Sequence, residues 1–184
     1  AGIGPAMTLG DMGIDVRANV PGVGQGLMDH PSIAVASFIK PHARVNELTR
    51  RHILVGLRYS SKLEDIPKGD MFVAVSSKSS WHAVGEQIAS MVIFVNKTYS
   101  ETGQVKLETV DWRDEPVVEF NLLSDQRDLD RLKDAVRRMA AVYATPAMQS
   151  ATSDPFPASY SDKVRQVGEV NNKNKFLTGI MAKL

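Results

Sequence analysis

Four histidines are the first residues to test for chemistry: His30, His42, His52 and His82. None is spaced from another for a metal site. No HExxH motif is present, and no carboxylate at i+3 or i+4 sits in a ligand context. His42 and His82 fall in loops. His52 is read as a core residue on the inner face of a helix. His30 differs through its neighbours, because Asp29-His30-Pro31 leads from a Gly-rich bend straight into an apolar run. Asp29 there either orients the imidazole or caps the turn, with the structural role ahead. The absence of cysteine removes thiolate chemistry and disulfides. Composition leaves a Ser-His-Asp triad open, but no GxSxG elbow supports one. Glu115 and Glu119 flank an edge segment and read as solvent-facing. Gly22-Val23-Gly24-Gln25-Gly26 lacks the preceding strand and the third glycine of a dinucleotide loop.

The elements that must position these residues belong to a chain of 184 residues, one domain's worth or two at most. Hydrophobic content of 43% supplies a core, and a net charge of +1 gives no electrostatic case for nucleic acid. No apolar run is long enough to span a membrane. No signal peptide opens the chain, and the expected location is the cytoplasm.

The chain begins inside a Gly-rich turn, Gly2-Ile3-Gly4-Pro5, read as the exit from a strand that is not here. Pro5 to Met12 reads as a short helix closed by Gly13. Val20 to Gly24 is a turn. Ser32 to Lys40 is a strand bounded by Pro31 and Pro41. Asn46 to Tyr59 reads as a helix capped by Asn46, with Leu48, His52, Val55 and Tyr59 on one face. The pattern then changes to period two. Asp70 to Ser76 is a strand, and Gln87 to Asn96, apolar on both faces, is a central strand. Gly103 to Val110 alternates, and Glu101-Thr102-Gly103 is read as the turn pairing it with Gln87 to Asn96. Val117 to Phe120 is an edge segment. Ser124 to Ala144 is the clearest helix, capped by Ser124, with Asp125 and Asp128 suiting its positive end. Leu129, Leu132, Val136, Met139 and Tyr143 face its core; Arg131, Lys133, Asp134, Arg137 and Arg138 face water. Pro146 stops it. Asp154 to Ser161 is loop, and Lys173 to Leu184 is a final helix that runs uncapped to the chain end.

Two runs carry a family resemblance. The first is Ala1-Gly2-Ile3-Gly4-Pro5-Ala6, then Met12-Gly13-Ile14, then Pro21-Gly22-Val23-Gly24-Gln25-Gly26-Leu27-Met28-Asp29-His30-Pro31. The second is Gly103-Gln104-Val105-Lys106-Leu107, Asp111, Pro116-Val117-Val118 and Asn121-Leu122-Leu123, followed by Asp125, Asp128 and Pro146-Ala147-Met148. In order and spacing they resemble the glucose–methanol–choline (GMC) flavin oxidoreductases, from Ala1 to about Lys40 and from Gln87 to Met148. The family pairs a Rossmann-like FAD domain with a substrate domain.

The resemblance implies an α+β fold, an antiparallel sheet of about five to six strands backed by helices. Residues 1–31 would pack on an FAD domain outside this chain, and 32–184 would form the substrate-binding domain, truncated at its C-terminus. The implied reaction is oxidation of a small alcohol by hydride transfer to flavin, with the sheet roofing the flavin and FAD bound only in the full-length enzyme. The family's catalytic histidine and its partner would lie C-terminal to this chain, so no catalytic residue is expected here and the piece alone would be inactive. Gly2, Gly4 and His30 would lie near the flavin. Ser32 and Thr98 would line the substrate pocket. Ser32 stands where choline-oxidising members carry a glutamate two positions after the histidine, and a neutral hydroxyl offers no charge to a quaternary cation. Thr98 stands near a further active-site histidine of the choline oxidases. The family's usual asparagine is replaced by Gly26. A sheet built to roof a flavin would be exposed without its partner, so a homo-oligomer is expected. The competing reading is a free-standing α+β binding or scaffold module of the same ancestry.

Overall fold

The structure, a computed structural model, describes residues 1–46, 51–158 and 160–184. In chain order its elements are β1 (Ile3–Gly4), α1 (Ala6–Asp11), β2 (Ala18–Asn19), β3 (Gln25–Leu27), β4 (Ser32–Phe38), β5 (Ile53–Tyr59), β6 (Met71–Ser76), β7 (Ile88–Val95), β8 (Gly103–Lys106), β9 (Val117–Glu119), α2 (Gln126–Tyr143), α3 (Pro146–Ala151), β10 (Phe156–Pro157), α4 (Asp162–Gly168) and α5 (Asn172–Met181). The fold class is α+β with antiparallel main sheets, as expected. The chain divides into two compact units, Ala1–Pro31 with Lys97–Leu129, and Ser32–Asn96 with Asp130–Leu184.

In the first unit, β1 pairs with β2 in parallel, and β3-β8-β9 form a three-stranded antiparallel sheet. Two readings change here. The opening Gly-rich turn contains a strand of its own, Ile3–Gly4, and Gln25–Leu27 inside the second glycine run is also a strand. Glycine is needed where these backbones touch: a Cβ on Gly24 would stand 2.4 Å from the Val105 carbonyl oxygen, and one on Gly103 2.3 Å from that of Leu27. Gly13, with φ +68°, follows α1 as the left-handed residue that ends a helix.

In the second unit the sheet order is β10-β4-β7-β6-β5, every pair antiparallel. The expected hairpin between β7 and β8 is not formed. β7 pairs with β4 and β6, which suits a strand apolar on both faces, and β8 joins the other sheet. The expected helix over Asn46 to Tyr59 is also corrected. Residues 47–50 lie outside the described residues, and Ile53–Tyr59 is the edge strand β5. The run ILVGLRY satisfies both periods, and its β-branched residues with a central glycine favour the strand. His52 is accordingly exposed at the start of that strand instead of buried on a helix.

One sheet face carries Val35, Met71, Val73, Met91, Ile93 and Val95, closed over by Leu132, Ala135, Met139 and Tyr143 of α2. Full burial of each such aliphatic side chain contributes about 1.5–3 kcal/mol. The helix begins at Gln126, and its first turn is capped by Asp125, whose Oδ1 accepts the Arg127 N–H at 2.9 Å; the cap expected at Ser124 shifts by one. Arg131, expected to face water, is fully buried and faces Asp70 at 3.6 Å, also fully buried. Asp70 Oδ1 accepts the Ser61 N–H at 2.9 Å. Thr145 caps α3, with Pro146 at its first position. Phe156–Pro157 adds a two-residue edge strand where loop was expected. Helix α5 starts with its Asn171 cap and closes at Ala182, so it is shorter than the expected Lys173 to Leu184 and has a cap.

Candidate functional site

In the first unit the Gly-rich opening is a backbone packing point. Gly2 has φ +78°, and a Cβ there would lie 2.3 Å from the Asp15 carbonyl oxygen. The Gly2 carbonyl accepts the N–H groups of Arg17 at 2.7 Å and Ala18 at 3.1 Å. Gly4 is buried, its Cβ position 3.7 Å from the Leu9 side chain, and its carbonyl accepts the Val20 N–H. Both glycines are therefore spent on the β1–β2 ladder. Helix α1 has six residues, and the Ala6 N–H at its start already meets Asn19 Oδ1 at 3.0 Å. These residues do not fit a cradle for the phosphates of FAD. His30 is exposed, and its backbone N–H donates to Asp29 Oδ1 at 2.7 Å.

The same unit holds a buried polar knot at Lys97–Ser100. The Asp128 carboxylate accepts Thr98 Oγ1 at 2.5 Å, the Tyr99 N–H at 3.0 Å, the Ser100 N–H at 3.1 Å and Ser100 Oγ at 2.7 Å. Asp128 is fully buried, and Thr98 and Ser100 nearly so. A carboxylate in the first turn of a helix also meets the positive end of its dipole. Arg127 lies over the Tyr99 ring, 3.7 Å from its centroid. Thr98, expected to line a substrate pocket, thus has its hydroxyl proton committed to Asp128.

In the second unit Ser32 opens β4 and is exposed. Its register partner is Phe94 on β7, whose partner on β6 is Phe72, whose partner on β5 is Arg58. Paired residues share a sheet face, so these four form one row on the face opposite α2. The Phe72 and Phe94 rings are half-buried, with centroids 6.2 Å apart and planes tilted by 38°. The next row holds Ala34, Val92, Ala74 and Gly56. Further along, the Ser76 and Ser90 hydroxyls share a hydrogen bond of 2.8 Å. Of the expected site residues, the structure brings Gly2 and Gly4 together in one ladder, places His30 and Thr98 elsewhere in that unit, and sets Ser32 in a different unit.

Sequence reasoning missed Asp128 as a buried acceptor and missed the ring pair. The signal for Asp128 was its phase, three residues before Arg131 and four before Leu132 on the inner side of α2. Phe72 and Phe94 could have been paired only by knowing the register. Two tyrosine hydroxyls against the core are held above their ordinary range. Burial pushes the Tyr143 hydroxyl up to about 12, and it donates to the Val35 carbonyl at 3.3 Å. Burial, with the nearby Asp134 charge, also raises Tyr59. Among the described residues no cluster of His, Asp or Glu could hold a metal ion, and no helix is long and apolar enough to cross a membrane.

Residues 98–176 match the family model described as GMC oxidoreductase. A 5-(hydroxymethyl)furfural oxidase of Methylovorus sp. (strain MP688) is 40% identical over 151 residues, which cover 80% of this chain and 27% of that protein. A choline oxidase of Arthrobacter globiformis is 28% identical over 160 residues, covering 83% of this chain and 29% of that protein. In fold, the chain resembles a formate oxidase of Aspergillus oryzae RIB40 studied for its FAD modification. The TM-score is 0.69 at 17% identity, covering 89% of this chain and 38% of that one. The chain therefore spans less than a third of the length of the relatives it matches in sequence.

Proposed function

The chain belongs to the GMC oxidoreductases, and from that premise we propose that it supplies the substrate-binding sheet of an FAD-dependent alcohol oxidoreductase, which passes hydride from a CH–OH donor to flavin. The observation that carries this is the asymmetry of the β10-β4-β7-β6-β5 sheet. One face is closed by α2, while the other presents a hydroxyl and two half-buried rings. On this reading residues 32–184 are substrate-binding domain, and Ser32 and Thr98 are each proposed as substrate contacts, one in each unit. Residues 1–31 pack on the FAD domain, with Gly2, Gly4 and His30 toward the cofactor. The exposure of Ile3, Met7, Val16, Val23 and Met28 supports an apolar contact along that segment. The glycine geometry supports a cofactor held outside this chain, so the chain alone is inactive. The exposed Val55 and Leu57 on edge strand β5 support self-association.

The test compares the isolated chain with the full-length enzyme. The chain alone should leave added FAD free after gel filtration and oxidise no alcohol. The full-length enzyme should carry flavin and oxidise primary alcohols. Stable yellow colour on the isolated chain, or a flavin-loaded full-length protein inert toward every alcohol, overturns the reading. A single monomeric mass for the chain by light scattering overturns the self-association.

A further inference from the structure

We infer that strand β5 is a pairing edge between two copies of this chain: residues 55–59 of one copy lie antiparallel to residues 55–59 of the other, centred on Leu57, and join two five-stranded sheets into one. This deepens the self-association proposed above and rests on it, but not on the oxidoreductase reading. A sheet edge presents a row of unpaired backbone N–H and C=O groups, and a further strand is what satisfies them. Among the described residues β5 pairs with β6 alone. The opposite edge of the same sheet is blunted, because β10 has two residues and one of them is Pro157, which has no N–H to give. The edges of the three-stranded sheet, β3 and β9, have three residues each. Strand β5 has seven, with no proline. Its single charged residue is Arg58, and that guanidinium is drawn back to its own chain, Nε donating to the Gly69 carbonyl at 2.9 Å.

Side chains fix the register. Val55, Leu57 and Tyr59 stand beside Val75, Val73 and Met71 of β6, on the face that α2 covers. Val73 and Met71 are buried in that core, whereas Val55 and Leu57 are 57% and 46% exposed. The core rows therefore run out to the edge and stop there uncovered. Centring the pair on Leu57 sets Leu57 against its own copy and Val55 against the second copy's Tyr59, so these rows continue as apolar contacts across the two-fold axis. On the other face it sets Arg58 against the second copy's Gly56, which has no side chain to displace. Centring the pair on Gly56 would carry it through the irregularity between Ile53 and Val55. A strand paired with its own copy makes an isologous contact, used up once it is made. With the β10 edge blunted, the assembly stops at two copies.

The experiment uses this chain and the full-length enzyme side by side, with light scattering and thiol cross-linking. The chain contains no cysteine, so Leu57→Cys gives it a single thiol; in the full-length enzyme, cross-linking is scored against the parent. The expected result is twice the monomer mass for the parent and a covalent dimer of Leu57→Cys on mild oxidation, because directly opposed residues bring their Cβ atoms to about 4.5–5.5 Å. Val55→Cys stands roughly 13 Å from its own copy in this register and should stay uncross-linked. Leu57→Lys sets two like charges face to face and should weaken dimerisation about tenfold or more. Position 57 is exposed in the single chain, so that variant keeps its fold. A parent of monomeric mass overturns the pairing together with the self-association. A dimer that survives Leu57→Lys and is not trapped by Leu57→Cys leaves self-association standing and overturns the β5 pairing alone. Trapping by Val55→Cys in place of Leu57→Cys overturns the register. Trapping in the chain but not in the full-length enzyme means that another strand of the same enzyme takes this edge, and it overturns the contact between copies.

Discussion

Thr98 donates its hydroxyl proton to the carboxylate of Asp128, 30 positions further along the chain, at 2.5 Å. The bond is one of four that fold the segment Thr98–Ser100 around a single buried acid. All four donors lie on one short stretch and the acceptor sits in the first turn of α2, so the knot fixes where the helix starts relative to that stretch. Asp128→Ala should lower stability by about 3 kcal/mol, since it strands several buried donors at once. Thr98→Val should lower it by about 1–2 kcal/mol. Urea denaturation of the two variants checks both values. Kinetics separates this role from the proposed pocket role: a purely structural Thr98 leaves KM for alcohols unchanged in the full-length enzyme, whereas a pocket residue shifts it.

Gly26 has φ +68°, and nothing lies within 4 Å of its Cβ position. Conformation alone restricts this site. Asparagine is among the side-chain-bearing residues that best tolerate the left-handed region, which accounts for an asparagine at this place in the family pattern. Gly26→Asn should be nearly neutral, and Gly26→Val should cost about 1–2 kcal/mol. Gly103→Ala should cost more than Gly26→Asn, because its new Cβ would meet the Leu27 carbonyl at 2.3 Å. Thermal melts of the three variants rank these effects, and a Gly103→Ala protein as stable as Gly26→Asn would contradict the close approach of β3 and β8.

His82 supplies a pH dependence. Its Nδ1 accepts the Gly85 N–H at 3.0 Å, so the folded loop holds the ring neutral on that side. Burial lowers its pKa, and the Glu86 charge opposes the shift. A histidine depressed on folding contributes stability that is present above its unfolded value of about 6.5. That contribution is lost as pH falls through the lower folded value. The urea midpoint should drop on going from neutral to mildly acidic pH, and His82→Gln should flatten this part of the profile. A profile unchanged by the substitution assigns the acid sensitivity elsewhere.

Much of the fold was legible because several elements obey one period only. The apolar runs of β4, β6 and β7 could be nothing but buried strands, and the stripe Leu132, Met139, Tyr143 could be nothing but a helix face. ILVGLRY failed because Val55 and Tyr59 are four apart and Ile53, Val55 and Leu57 also alternate, so the pattern fits helix and strand alike. Strand pairing was out of reach for β8, whose partners β3 and β9 are short and rich in glycine or polar residues. Arg131 was assigned to water by its charge, although its phase puts it beside Leu132 on the inner side. Ser32 was singled out by the family resemblance, while its register partners Phe94 and Phe72 become visible only when three strands are laid side by side.

That Asp70–Arg131 pair is the next place where substitution should be felt. Both side chains are fully buried, with oxygen and nitrogen 3.6 Å apart. Desolvating two charges offsets much of their attraction, yet removing one partner leaves the other charged in an apolar core. Asp70→Ala should destabilise by about 3–5 kcal/mol. It also removes the acceptor for the Ser61 N–H. The double variant Asp70→Ala with Arg131→Met should recover part of the loss relative to Asp70→Ala alone. Chemical denaturation of the single and double variants measures the coupling, and strictly additive losses would show that the pair does not act as a unit.

Ser32 sits at the open end of the aromatic row, exposed and in register with Phe94. The family resemblance puts a glutamate at this position in choline-oxidising members. The physical content of that difference is one negative charge beside two ring faces. Ser32→Glu would place a carboxylate at the opposite end of the row from Arg58, giving a quaternary ammonium the counter-ion that the four strands lack. In the full-length enzyme the ratio of kcat/KM for choline over benzyl alcohol should rise by about tenfold, equivalent to about 1.4 kcal/mol. The gain should shrink at high salt, because an exposed carboxylate is screened. It should also vanish at a pH low enough to protonate the new side chain, since the neutral acid offers the cation no more than the serine does. Steady-state kinetics with both alcohols at two ionic strengths checks the magnitude and the sign. A ratio that does not move would mean that substrate does not pass this end of the row.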